Sequence, residues 1–257
     1  MKTDIYLISM KRDQKRREAL KKRFPQFFNH LKIVDAIDAT SEAVDNSTNL
    51  IPANNTSSFI NLTKSEQCCA LSHIKALEMF LKTKQNWCII IEDDLIGNDS
   101  DFERSFSLIN QLENLNTGGL LILGGQQGLK NSAYLSGKRI NEYLWYIPHY
   151  CKFFITRACC YAISRDLATK IHSRQTNNLS RSDQWDKLCK KNEKIFYANI
   201  FVHPKDLNES HIETERKKHW AQKLINDGIT KTIARNIIKI YVLFLRRFGF
   251  LNKAEIK

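Results

Sequence analysis

Trp87-Cys88-Ile89-Ile90-Ile91 is an unbroken apolar run that stops at Glu92-Asp93-Asp94. An apolar stretch of this length without alternation marks a strand buried on both faces. Such strands belong to sheets covered by helices on both sides, and so to the α/β class. In open α/β sheets, ligands bind beyond the carboxyl ends of the strands. Three carboxylates at such an end are therefore candidates for chemistry. If the chain stays extended, Glu92 and Asp94 point to the same side. Two carboxylates on one side suit a hard divalent ion, Mg²⁺ or Mn²⁺. The competing explanation is a solvated strand-to-loop turn, where acidic residues are common.

The rest of the chain supports an alternating sheet. Residues 5–8 form an apolar strand, residues 11–24 a basic helix closed by Pro25, and residues 31–34 a second strand ending in Asp35. That spacing is a βαβ unit. Residues 41–62 are rich in Ser, Thr and Asn and are expected to form a long loop. Thr63-Lys64-Ser65-Glu66 is a capping-box pattern, and Ala70, Ile74, Leu77 and Leu81 give the helix behind it an apolar face. Residues 120–123 form another buried strand, stopped by Gly124-Gly125. Residues 153–164 and 195–202 are later strand candidates, with a short helix at 166–172 between them.

The formal net charge of +13 over 257 residues implies an anionic partner: nucleic acid, an anionic membrane surface or a phosphorylated substrate. The basic runs are not interleaved with aromatics in a recognisable nucleic-acid-binding pattern, so no nucleic-acid partner is expected. Residues 216–257 carry eleven Lys/Arg against two Asp/Glu, and Ile237, Ile240, Tyr241, Phe244, Leu245 and Phe248 recur at helical spacing. That is a basic amphipathic helix, expected as a tail beyond a catalytic domain of residues 1–215. Its apolar stripe either lies on an anionic membrane surface or packs on the domain. The seven cysteines lack a C-x-x-C pair and include Cys68-Cys69 and Cys159-Cys160, which suits free thiols in a reducing cytosol. The first residues run straight into a strand, so no signal peptide is expected.

Several stretches, in order over roughly residues 4–212, resemble glycosyltransferase family 25. Arg12 and Arg16 fit the family's opening Arg-x-x-x-Arg pattern, although Ser9-Met10 stands in place of Asn-Leu. Val34-Asp35-Ala36 matches a Val-Asp-Gly-like step. Ser65-Glu66-Gln67-Cys68-Cys69-Ala70-Leu71-Ser72-His73 is similar to Gly-Glu-x-Gly-Cys-x-x-Ser-His, with Ser65 and Cys68 replacing the glycines. Ile91-Glu92-Asp93-Asp94 is similar to Leu-Glu-Asp-Asp. Tyr161 and Ser164 fit a Thr-x-x-Tyr-x-x-Ser strand, and Ser182-Asp183 a Val-Asp segment.

The resemblance implies a GT-A-like α/β fold, with a Rossmann-like nucleotide-binding half and an acceptor half. It implies a UDP-sugar donor, galactose by default, and a lipooligosaccharide-core glycolipid as acceptor. Transfer would invert the anomeric carbon and use Mn²⁺ or Mg²⁺ to hold the two donor phosphates. Ser9, Arg12, Arg16, Asp35, Ala36, Ser72, His73 and Asp93 would then bind the nucleotide sugar. Glu92 and Asp94 would hold the metal, with His203, just before Pro204 on a late strand, as a third candidate ligand; Asp183 would be the catalytic base, with Asp186 as substitute. The expected location is the cytoplasmic face of a bacterial inner membrane. The alternatives are a transferase-like protein without activity, or a basic module for nucleic acid or anionic lipid.

Overall fold

The computed structural model describes residues 3–40, 62–129, 131–204 and 229–256. The loop expected at 41–62 lies almost wholly outside them, as do residues 216–228 of the expected tail.

The apolar run is β3 (Trp87–Glu92), and Ile89, Ile90 and Ile91 are completely buried. Side chains alternate across it. Cys88 and Ile90 join one core layer, while Trp87, Ile89 and Ile91 join the other. Each of these isoleucines contributes about 1.5–3 kcal/mol relative to exposure. On one side β3 pairs in parallel with β1 (Asp4–Ser9), which pairs in parallel with β2 (Leu31–Asp35). On the other side it pairs antiparallel with β7 (Cys160–Ser164).

β4 (Leu120–Gly124) follows β7 across the sheet, and β8 (Ile195–Phe201) lies parallel beside it. A hairpin of β5 (Ser136–Arg139) and β6 (Trp145–Ile147) extends the sheet. The two-residue β9 (Asn252–Lys253) closes it. The order among the described residues is β2-β1-β3-β7-β4-β8-β6-β5-β9. β1, β2, β3, β4 and β8 all run in one direction, so their carboxyl ends share one edge. β7 runs against them and brings the residues before it to that same edge.

Helices cover both faces, as strands buried on both sides require. α1 (Gln14–Arg23) and α3 (Asp99–Asn114) supply Leu20, Phe102, Ile109 and Leu112 to one layer. α2 (Lys64–Leu81) and α4 (Arg165–Asn177) supply Ala76, Leu77, Phe80, Leu167 and Ile171 to the other. The capping box of α2 forms as expected: Thr63 Oγ1 accepts from Glu66 N at 3.2 Å, and Glu66 Oε2 from Thr63 N at 3.1 Å. α3 carries the same device at Asn98 and Asp101, a signal the sequence reading passes over. The strand expected over 153–164 is shorter, because residues His149–Phe154 form a 3-10 helix and only Cys160–Ser164 pairs.

The described part of the carboxyl-terminal segment packs on the sheet. After the short α5 (Trp185–Leu188) and β8, the chain ends in α6 (Ile229–Arg247) and β9. Val242 of α6 and Leu251 and Ala254 beyond it belong to the main core. Arg246 donates to Ser136 Oγ, Ala133 O and Leu135 O at 2.7, 2.9 and 3.1 Å. The last described residues complete the sheet, so the part of the expected tail that is described packs on the main body. One side of α6 is docked. The other leaves Ile233, Ile237, Ile240, Phe244 and Phe248 exposed.

β4 ends at Gly124 because nothing larger fits. Its φ is 129°, and a Cβ there would stand 2.1 Å from the Phe201 carbonyl oxygen. Gly124→Ala is expected to cost about 2 kcal/mol or more, from left-handed strain and lost β4–β8 register. Urea unfolding with an unchanged midpoint would contradict this.

Candidate functional site

Three consecutive carboxylates leave the end of β3 in three directions. The strand stops at Glu92, where the Leu95 amide donates to the Glu92 carbonyl at 3.3 Å and turns the chain. The alternation that would align Glu92 with Asp94 ends there too. Glu92 faces α2, where its Oε1 lies 3.1 Å from His73 Nε2. Asp93 faces α1 and accepts from Arg16 at 3.0 Å. Asp94 faces the end of β8, with Oδ2 at 3.2 Å from His203 Nε2. Glu92, Asp94 and His203 do not offer three ligand atoms within 4.8 Å of one another.

The three carboxylates differ electrostatically. Burial raises Asp93 above the usual carboxylate range, against hydrogen bonds from Ser9 and Arg16. Burial also pushes Asp94 up, but the hydrogen bond and charge of His203 prevail and hold it below that range. In return Asp94 raises His203, overcoming the burial of the imidazole. His203 Nδ1 is taken by the Pro204 carbonyl at 2.8 Å, so Nε2 is the nitrogen presented to Asp94. Asp94 Oδ1 is buried and has no partner. A carboxylate with one oxygen on an imidazolium and the other bare suits a bound cation.

The amino-terminal arginines tie the ends of β1, β2 and β3 together. Arg17 donates to Ser9 Oγ at 2.9 Å and to Ser9 O at 3.0 Å, and lies 3.6 Å from Asp35. Arg12 pairs with Asp38 at 2.6 Å and with Thr40 Oγ1 at 2.7 Å. Asp35 stays half exposed beside Lys11 at 3.4 Å. The Ala36 amide donates to Ser9 O, prolonging the β1–β2 ladder. Ser72 is buried, donating to Cys68 O at 2.7 Å and accepting from Ile37 N at 2.9 Å, so it fastens α2 to the turn after β2. His73 is buried, with Nδ1 3.0 Å from the Tyr161 hydroxyl.

Asp183 reaches the same edge through Arg157. Its Oδ2 accepts the Arg157 amide at 3.4 Å, Arg181 lies 3.6 Å from Oδ1, and Trp185 Nε1 donates to Arg157 O at 3.2 Å. Arg157 donates in turn to the carbonyls of Gly125 and Gln127, both at 2.9 Å. Its φ of 65° is left-handed, a costly conformation that a β-carbon-bearing residue keeps only where its surroundings enforce it. The sequence reading misses Arg157. The available signal is a lone arginine inside the apolar stretch 153–163. Gln126 is missed too: its carboxamide pairs with both the amide and the carbonyl of Thr156.

Arginines beside strand-end carboxylates, a carboxylate–imidazole pair and a separate aspartate thus share one edge of the sheet. The sequence model of glycosyltransferase family 25 (LPS biosynthesis protein) matches residues 2–179. The chain belongs to glycosyltransferase family 25. The match includes the β1–α1 arginines, the Cys69 to His73 stretch and Glu92-Asp93-Asp94; Asp183 and His203 lie beyond it. Membership in this family supports a glycosyltransferase of lipopolysaccharide biosynthesis, acting with a sugar donor and a saccharide acceptor. No curated protein matches the chain. Among solved structures it is similar to a mannose-1-phosphate geranyltransferase from Thermus thermophilus, at 11% identity and a TM-score of 0.39, over 79% of this chain and 75% of that one. It is also similar to an apo UDP-glucose pyrophosphorylase, at 10% identity and a TM-score of 0.38, over 79% of this chain and 92% of that one.

Asp93 is nearly buried, so removing its cation is costly. Arg16→Ala is expected to destabilise this family-25 chain by about 2 kcal/mol, and adding Asp93→Asn should recover part of that loss. Additive losses in the double variant, measured by chemical denaturation, would contradict the pairing.

Proposed function

We propose that this family-25 chain transfers galactose from UDP-galactose to a sugar of a lipooligosaccharide core, with inversion at the anomeric carbon. The observation that carries the reading is the cluster of Asp94, His203 and the α1 arginines at the carboxyl ends of parallel strands. A diphosphate brings negative charge, and Arg12 and Arg16 supply guanidinium groups suited to it. Asp35, half exposed at the end of β2, is suited to accept a ribose hydroxyl. Ser9, Ala36, Ser72, His73 and Asp93 shape and support this donor site rather than meeting the reacting atoms.

Mn²⁺ or Mg²⁺ would be held at the bare Asp94 Oδ1, with His203 Nε2 a second donor only once the ion displaces its proton. Such an ion, when bound, neutralises charge on the departing diphosphate. Asp183 takes the proton of the acceptor hydroxyl. That oxygen forms the new bond to the anomeric carbon from the face opposite the donor phosphate. The bond from carbon to phosphate oxygen breaks, and its electron pair leaves with UDP. Arg157 holds Asp183 through its backbone amide, while its side chain fixes the Gly125–Gln127 turn.

Turnover of UDP-hexoses with Mn²⁺ and a core-saccharide acceptor tests the reading. Wild type is expected to consume UDP-galactose fastest. Asp183→Asn is expected to lose roughly 10²–10⁴-fold in kcat with UDP binding retained, the usual worth of a general base. Asp94→Ala should be inactive while folded. Full activity of Asp94→Ala in EDTA would contradict the metal, and a normal kcat for Asp183→Asn would move the base elsewhere.

A lipid-linked acceptor suits work at the cytoplasmic face of the inner membrane. No helix of the described residues is long and apolar enough to cross a membrane. The exposed side of α6 instead combines Ile237, Ile240, Phe244 and Phe248 with basic neighbours. That combination suits a helix lying in the interface among anionic head groups, each basic residue adding about 1 kcal/mol. Pelleting with anionic liposomes is expected for wild type and lost in Ile237→Glu/Phe244→Glu/Phe248→Glu. Equal pelleting of both would rule out docking through α6.

A further inference from the structure

Glu92 points away from Asp94 and into a different set of donors. Cys69 and His73 are four residues apart on α2 and therefore share a face. Among the described residues, Cys69, His73 and Glu92 are the metal-ligand-type side chains that gather as a three, with one ligand atom of each within 4.8 Å of the others. His73 Nε2 and Glu92 Oε1 are already 3.1 Å apart. We propose that Cys69, His73 and Glu92 form a binding site for a thiophilic divalent cation, Zn²⁺ by its chemistry, separate from the donor-site cation at Asp94 and His203.

The donor set selects the ion. Thiolate and imidazole favour Zn²⁺, whereas Mg²⁺ and Mn²⁺ prefer oxygen. A thiolate and a carboxylate together neutralise a doubly charged ion, and a neutral imidazole adds no charge. Both flanking ligands have outer partners of the kind that orient metal sites. Tyr161 OH sits 3.0 Å from His73 Nδ1, and Ser182 Oγ sits 3.3 Å from Cys69 Sγ. With Nε2 on the ion, Nδ1 carries the ring proton and donates it to the Tyr161 oxygen. Cys69 is partly exposed while the other six cysteines are buried, so it is the thiol an ion can reach.

The bound ion has a structural consequence for the reaction centre. It joins α2, the end of β3 and, through Ser182, the segment that carries Asp183. It is a positioning element and touches no substrate. It borders the proposed donor site through His73 and Glu92, but neither Asp94 nor His203 takes part, so loss of Zn²⁺ binding and loss of transfer are read separately.

The test uses the full chain, stripped with EDTA and titrated with Zn²⁺ alone, then with Co²⁺ as a spectroscopic substitute. One Zn²⁺ per chain is expected, and Co²⁺ should show thiolate-to-metal charge-transfer absorption. Cys69→Ser and His73→Gln should remove the absorption and weaken Zn²⁺ binding by at least about 100-fold, since outer partners alone are worth roughly 10–100-fold. Asp94→Ala should keep both. In unaltered protein, Zn²⁺ should shield Cys69 from iodoacetamide and EDTA should restore its reactivity, a readout that does not depend on any variant folding. Absence of stoichiometric Zn²⁺ binding, a Cys69 that alkylates equally with and without Zn²⁺, or binding lost in Asp94→Ala but kept in Cys69→Ser would overturn the proposal.

Discussion

Everything at the working edge depends on how the three carboxylates after β3 are held. A central strand buried on both faces delivers Glu92, Asp93 and Asp94 to one point, where they would repel one another if left alone. The fold gives each a different partner on a different element: His73 on α2, Arg16 on α1 and His203 beyond β8. Each contact offsets a charge that is buried or partly buried, and each also fixes the end of a strand or helix. The carboxylates thus act as clamps. The oxygen left bare, Asp94 Oδ1, is where the clamp is incomplete, and it is there that the proposed cation would bind.

Topology explains which residues the edge gathers. Five parallel strands place their carboxyl ends together, the arrangement in which α/β sheets bind ligands. β7 runs the other way, so the residues entering it arrive at the edge as well. That is how Arg157 comes to link Asp183 with the turn after Gly124. The left-handed backbone of Arg157 and the two glycines at the end of β4 are local costs accepted where chains must approach closely.

Much of this was legible in the sequence, because it rests on local chemistry. The unbroken Trp87 to Ile91 run announced a strand buried on both faces, and Thr63 with Glu66 announced the start of α2. Arg16 and His73 were named as site residues and do stand beside the carboxylates. What could not be read depends on distant contacts. Extended alternation predicted that Glu92 and Asp94 align, but a single turn after Glu92 separates them. Ser72 looked like a ligand contact, yet its hydroxyl is spent between Cys68 and Ile37. The apolar stripe of α6 is compatible, on sequence alone, with a membrane surface or with packing on the domain. Helical spacing alone does not reveal that Val242 and Arg246 are docked while Phe244 and Phe248 are not. The β5–β6 hairpin is short, and β9 is shorter still; such strands leave almost no periodic signal.

The central claim is that the edge formed by Ser9, Asp35, Glu92-Asp93-Asp94 and His203 is where a nucleotide diphosphate and a divalent cation meet. The most direct measurement is a crystal structure of the chain with UDP and Mn²⁺. The account predicts the diphosphate at the carboxyl ends of β1 and β3, with Mn²⁺ against Asp94 Oδ1 and an α1 arginine on a phosphate oxygen. A nucleotide bound at the opposite edge of the sheet, or one bound here with Mn²⁺ away from Asp94, would contradict it.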